Sequence, residues 1–230
     1  MRRCVLLLLV IMLIGCNKKE RLTHIPDTQL EGLKGKVKSK TVISSNGFFG
    51  LPCKQIILYD DLGYKISEEI LIDENKTGEY SLLARMEYAP YHDSTRISKT
   101  YGADHKLYDV TTTKWLTSQD YTIIRMNEED KGEIHKEVVK TDGKGRQTHK
   151  VGLREYIGKS QVDTISRSIF EYDEKGDKVL EKSRLTNESY GEIKVTNLTF
   201  DKYANITRQE TSSEDIDANE EVEYTYEYYE

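Results

Sequence analysis

Ile169-Phe170-Glu171-Tyr172-Asp173-Glu174-Lys175-Gly176 is the stretch whose reading decides the fold. With Ile165 before it, it reads as a strand that ends on an aromatic residue and is reversed by a tight turn. Asp accepts backbone N–H bonds two residues on, and Gly or Asn supplies the residue with φ > 0 that turns the chain. The same phrase occurs as Tyr59-Asp60-Asp61-Leu62-Gly63 and, altered, as Phe200-Asp201-Lys202-Tyr203-Ala204-Asn205. Asp173 and Asp201 are 28 residues apart, and Asp60 and Asp173 are 113 apart, close to four such periods. One hairpin per 28 residues fits that repeat.

Alternation supports strands on either side. Val222, Tyr224, Tyr226 and Tyr228 share one face of the last segment, while Glu221, Glu223, Thr225 and Glu227 share the other. Val37, Ser39, Thr41 and Ile43 alternate against Lys36, Lys38 and Lys40, and Ile66, Ile70 and Ile72 fall together. Ile193 and Val195 belong to a further run. One short helix is expected near Thr28 to Leu33, capped by Thr28 with Glu31 three residues on. The reading is all-β: a strongly curved antiparallel β-meander of repeated hairpins, an open sheet or incomplete barrel of roughly 14 strands. The Lys-rich first strand and the Glu-studded last strand are read as its protected edges.

The N-terminus has a different character. Arg2 and Arg3 precede an apolar run from Val5 to Ile14, too short to cross a bilayer and of the length of a secretory h-region. Leu13-Ile14-Gly15-Cys16 resembles the lipobox of bacterial lipoprotein precursors. That resemblance implies cleavage before Cys16, acylation of its thiol with palmitate-type chains, and anchoring in the membrane. The division expected is residues 1–15 signal peptide, 16–32 lipidated Cys and tether, and 33–230 a single β-repeat domain. Asn17 stands where Asp would retain some Gram-negative lipoproteins at the inner membrane, so the expectation is the outer membrane. Removing Arg2 and Arg3 from 34 basic residues leaves 32 against 40 acidic ones, a net charge of −8. That charge argues against a nucleic-acid partner. Cys4 leaves with the signal and Cys16 carries lipid, so Cys53 is left alone, and no intramolecular disulfide forms. It has no cue for a depressed thiol pKa and is read as buried and inert.

The turn phrases, Asp60, Gly63, Asp173, Gly176, Asp201 and Asn205 among them, resemble YD repeats of RHS-like bacterial surface proteins. Leu33-Lys34-Gly35-Lys36-Val37-Lys38-Ser39 likewise resembles the first strand of YD-type lipoproteins. The resemblance implies curled antiparallel sheets and carries no established activity for the short members.

Catalytic signatures are missing: no Gly-rich phosphate loop, no Gly-x-Ser-x-Gly and no His-Glu-x-x-His. His92-Asp93 and Asp104-His105 could meet if hairpins bring their turns together, though surface histidines are the plainer reading. Asp73-Glu74-Asn75 and the acidic turn at 127–130 do not match the calcium-loop pattern. No metal and no cofactor is expected. Sixteen Tyr residues are the remaining lead. Tyr88, Tyr91, Tyr101, Tyr108 and Trp115 form a dense aromatic stretch, the expected place for a binding face. The function expected is a membrane-anchored, non-catalytic binding or scaffold module of the cell envelope, contacting a glycan or another envelope protein. A glycan-directed surface hydrolase using carboxylates on the sheet, or an assembly partner of an outer-membrane complex, are the alternatives.

Overall fold

The computed structural model describes residues 24–47, 50–127, 132–186, 191–213 and 220–230. A single-turn helix α1 (Asp27–Leu30) precedes fourteen strands. These are β1 (Val37–Ser44), β2 (Cys53–Tyr59), β3 (Lys65–Ile72), β4 (Ser81–Tyr88), β5 (Thr95–Gly102), β6 (Leu107–Trp115) and β7 (Asp120–Asn127). They continue as β8 (Glu133–Thr141), β9 (Gln147–Tyr156), β10 (Val162–Tyr172), β11 (Lys178–Leu185), β12 (Gly191–Phe200), β13 (Ile206–Ser213) and β14 (Glu220–Tyr228). Each pairs antiparallel with the next, and β14 returns to β1 to close a barrel.

The strands read as protected edges are therefore seam partners. Val42 faces Tyr224 and Lys40 faces Tyr226, and Tyr229 N–H donates to the Lys36 carbonyl at 2.9 Å. Closure removes the unpaired edge groups that an open sheet must blunt with charge. A bulge between Val37 and Ser39 shifts the phase of β1. As a result Lys40 points inward to Glu31 while Ile43 is 37% exposed, the reverse of the simple alternation. Another bulge, in the β2–β3 pairing, separates Ile66, 47% exposed, from the buried Ile70 and Ile72. The last strand keeps its expected phase, with Val222 and the three Tyr inward and the Glu residues outward.

The repeat explains the turns. Asp60, Asp142, Asp173 and Asp201 each donate their amide to the carbonyl four residues on, at 2.8–2.9 Å. Each also accepts the amide three residues on, and its carboxylate takes further amides of the same turn. The residue at the third place after Asp has positive φ: Gly63, Gly145, Gly176 and Ala204. In the last copy this role falls to Ala204 (φ 64°) and not to Asn205. The copy at Asp142 lacks the aromatic signal because Thr141 precedes it. A repeat of one hairpin returns the chain to the same end, so all four Asp turns lie on one rim.

That rim is stoppered by residues 24–34. The expected capping by Thr28 does not occur: Pro26 occupies the cap position and Thr28 lies inside α1. Instead Thr28 N–H donates to the Gly63 carbonyl (3.0 Å), Gln29 Nε2 to the Lys144 carbonyl (3.2 Å), and Asn205 brackets the Lys34 backbone. Ile25 and Leu30 pack on a core of Trp115, Tyr121 and Val139, and Leu33 on one of Val37, Ile57 and Tyr59. Full burial of such a side chain contributes about 1.5–3 kcal/mol, and these partly buried ones contribute a share of it. Residues 24–32, expected as tether, are thus part of the domain; residues before 24 lie outside the described ones.

The outer wall carries ion pairs. Arg85–Glu87 (3.4 Å), Lys136–Glu155 (3.4 Å), Lys182–Glu192 (3.1 Å) and Arg208–Glu221 (2.7 Å) are spread around it. A lipid-facing barrel needs an apolar band, and each Lys or Arg at its midplane costs about 2–4 kcal/mol. Exposed apolar side chains, Leu58, Ile97 and Met126 among them, stand between these pairs.

Candidate functional site

Pro90 interrupts the sheet at the stoppered rim. The β3–β4 register ends at Ser67 opposite Glu87, three residues before a proline that has no amide to donate. The β4–β5 hairpin runs on alone, closed by Ala89 N–H to the Ile97 carbonyl (2.9 Å) and by an isolated bridge from His92 to Thr95. Between β3 and this hairpin lies a slot of about 1050 Å³. Tyr64 and Ile66 line one side and Tyr88 to Tyr91 the other, with His24 of the stopper, Arg96 of β5 and the carboxylate-bearing Asp60 and Asp93 also in the lining.

The floor is a buried ionic network. Arg96 grips the Asp27 carboxylate with Nη1 at 2.6 Å and Nη2 at 2.9 Å, and the Lys65 amide donates to the same carboxylate at 2.8 Å. The guanidinium lies 5.1 Å from the Tyr88 ring centre and 4.7 Å from that of Tyr91. One turn on, Glu31 receives Lys40 (2.8 Å), Lys65 (3.0 Å) and the Tyr59 hydroxyl (3.0 Å). Burial alone pushes the Glu31 carboxyl up, but Lys65 and Lys40 outweigh it and bring the pKa down to about 2. Burial raises the Tyr59 and Tyr88 hydroxyls, reinforced by Glu31 at Tyr59 and by Glu68 at Tyr88. Glu68 accepts from the Tyr88 hydroxyl at 3.1 Å and from Gln55 at 2.5 Å.

Above the network the rings meet. His24 stacks on Tyr91 with centroids 4.2 Å apart, and Tyr64 meets Tyr91 edge-on at 5.7 Å. Trp115 Nε1 donates to the Tyr91 hydroxyl at 3.2 Å.

The expected aromatic face is thus divided. Tyr88 and Tyr91 line the slot and Trp115 stands behind them, 2% exposed. Tyr101 and Tyr108 lie at the far end of β5 and the start of β6, at the opposite rim, and take no part. Sequence spacing alone overlooks His24, Tyr64 and Arg96; Pro90 directly after Tyr88-Ala89 is the signal that marks the break. His92 and Asp93 do not meet Asp104 and His105, because β5 separates the two turns by its whole length. Asp104 pairs instead with Lys106 at 3.0 Å. Asp73 spends its carboxylate on the amides of Thr77 and Gly78. Of the other acidic turn, residues 128–130 lie outside the described ones. Among the described residues no three His, Cys, Asp or Glu side chains converge as a metal site would require. Cys53 is free and buried. Cys16 and the lipobox residues Leu13, Ile14 and Gly15 also lie outside the described residues.

No family model matches the chain, and no curated protein matches it. Among solved structures it is similar to a porin-like protein from Bacteroides uniformis ATCC 8492, at 10% identity and a TM-score of 0.45. The similarity covers 89% of this chain and 100% of that one.

Proposed function

We propose that the protein is an envelope lipoprotein, anchored through Cys16 at the outer membrane, whose stoppered barrel acts as a non-catalytic binding module. The observation that carries this is the slot: a large cavity whose charged floor is fully committed to internal pairs. A glycan hydrolase needs one carboxyl that keeps its proton near neutral pH beside a second that does not. Of the carboxylates lining the slot, Asp60 accepts the amides of Leu62 and Tyr64, and Glu31 in the network below is pulled the other way by Lys65 and Lys40. The ion pairs on the outer wall support a barrel that stands on a membrane by its lipid and is not immersed in it.

Replacing Cys16 with Ala tests the anchoring. The variant is expected in the soluble fraction and without incorporated radiolabelled palmitate. Continued membrane fractionation of Cys16→Ala would end the lipoprotein reading.

A further inference from the structure

The slot opens where the sheet fails to close. Beyond Ser67 opposite Glu87, β3 and β4 share no register. Ala89 turns its amide to the Ile97 carbonyl, so by the alternation of a strand Tyr88 turns its own N–H and C=O away from β5, toward the slot. Pro90 comes next on that side and has no N–H to give. Across the slot the Lys65 amide is taken by Asp27, and the bulge at Ile66 leaves that residue outside the β2 and β4 registers alike. Two short strand edges therefore face each other across a cavity of about 1050 Å³. An open edge is a template for one more strand.

Charge narrows what that strand carries. The slot and its floor hold five carboxylates, Asp27, Glu31, Glu68, Asp60 and Asp93, against three cations, Lys40, Lys65 and Arg96. The first three carboxylates match the cations, and the excess lies at the mouth. Asp60 takes the Leu62 and Tyr64 amides on Oδ1 alone. Asp93, on the facing hairpin, is exposed, with His92 at 3.5 Å. An occupant that covers the mouth strips water from both carboxylates, and a positive charge offsets that cost. An anion adds to the excess. Leu62, 68% exposed, gives the same mouth an apolar lip together with Ile66, Ala89 and Pro90.

We propose that the slot binds an extended peptide segment of a partner protein, added as a strand between β3 and β4, with a Lys or Arg between Asp60 and Asp93 and an apolar neighbour on the lip. This rests on the binding-module reading and names the class of partner that the module takes. Main-chain bonds to Ile66 and Tyr88 supply affinity, and the two carboxylates and the lip supply selection. The ionic part weakens with salt, since Asp93 stands in water.

The chain contains its own reporter. Trp115 is the single tryptophan, and its indole N–H is bonded to Tyr91, a wall of the slot. The full chain, in a non-ionic detergent, is applied to an array of capped heptapeptides. Their central residue is Arg, Lys, Gln or Glu, and Val, Leu, Thr and Ser are varied on either side. Peptides that bind are then titrated while Trp115 emission is recorded. Saturable binding of Arg and Lys peptides is expected, weaker by roughly tenfold or more when the centre is Glu or when alternate peptide amides are methylated. Asp60→Asn, which keeps the Oδ1 acceptor of its turn, combined with Asp93→Asn is expected to weaken the same peptides to a similar extent with unchanged far-UV circular dichroism. An array without a binder would overturn the proposal, as would equal binding of the Glu peptides, of the methylated peptides or by the double variant. Binding that appears only after residues 17–23 are deleted would overturn it too, because Lys18, Lys19 and Arg21 lie there and the chain itself would be the occupant. A neutral glycan that shifts Trp115 emission where no peptide does would overturn the peptide and leave the binding module standing. The Cys16→Ala experiment bears only on the lipoprotein reading.

Discussion

Two side chains at the rim show how much single residues carry. The Asp27–Arg96 pair is buried, bidentate and 69 residues apart in sequence. Removing one partner from such a pair leaves an uncompensated charge and costs about 3–5 kcal/mol. Arg96→Ala is therefore expected to lower unfolding stability by that amount in a urea titration, and Asp27→Ala by a similar amount. Asp27→Leu combined with Arg96→Met is expected to recover much of it. Ala204 makes the opposite prediction. It holds a left-handed conformation (φ 64°) that costs an L-residue about 1–2 kcal/mol. Ala204→Gly is expected to stabilise by roughly 1 kcal/mol in the same titration, whereas Gly63→Ala, whose Cβ would overlap Thr28 Oγ1, is expected to destabilise. The turn chemistry at Asp60, Asp173 and Asp201 was legible because it is local. The Asp27–Arg96 pair was not, because nothing in either neighbourhood encodes a partner 69 residues away. Asn205 was legible as a turn residue but not as the clamp on Lys34, for the same reason.

Among the elements, the stopper is the one whose stability answers to acid. The Glu31 pKa is about 2 in the folded protein against an ordinary 4.5. Because the folded value is the lower one, the stabilisation is fully present above pH 4.5 and disappears as pH falls from there toward 2. Chemical denaturation at stepped pH is expected to show that decline. Glu31→Gln is expected to be less stable at pH 7 and to change less across the same window. A wild-type chain no steeper than Glu31→Gln there would refute the network's role. Strand existence and the inward Tyr face of β14 followed from period two. The phase of β1 did not, since one bulged residue between Val37 and Ser39 turns Lys40 inward and leaves no trace in composition. Likewise, residues 24–32 look like linker because their apolar members, Ile25 and Leu30, are too few to show a period.

For the whole molecule, closure is what the count of strands could not supply. Fourteen strands follow from the repeat, but whether the last meets the first depends on accumulated twist and on bulges in many ladders. Closure predicts strong interdependence of the ends. Truncation after Ser213 removes β14, exposes the flanks of β1 and β13, and is expected to give aggregates by size-exclusion chromatography where the full chain elutes as a folded species. The stopper fixes one more property. The described residues begin at His24, on the rim that holds the slot, eight positions after Cys16 in the sequence. Fully extended, those eight positions reach at most about 28 Å. If Cys16 is acylated as proposed, the slotted rim would lie toward the bilayer at a standoff shorter than a small domain's width. A ligand would then have to approach sideways along the membrane plane, and the opposite rim, with Tyr101 and Tyr108, would be the one presented outward.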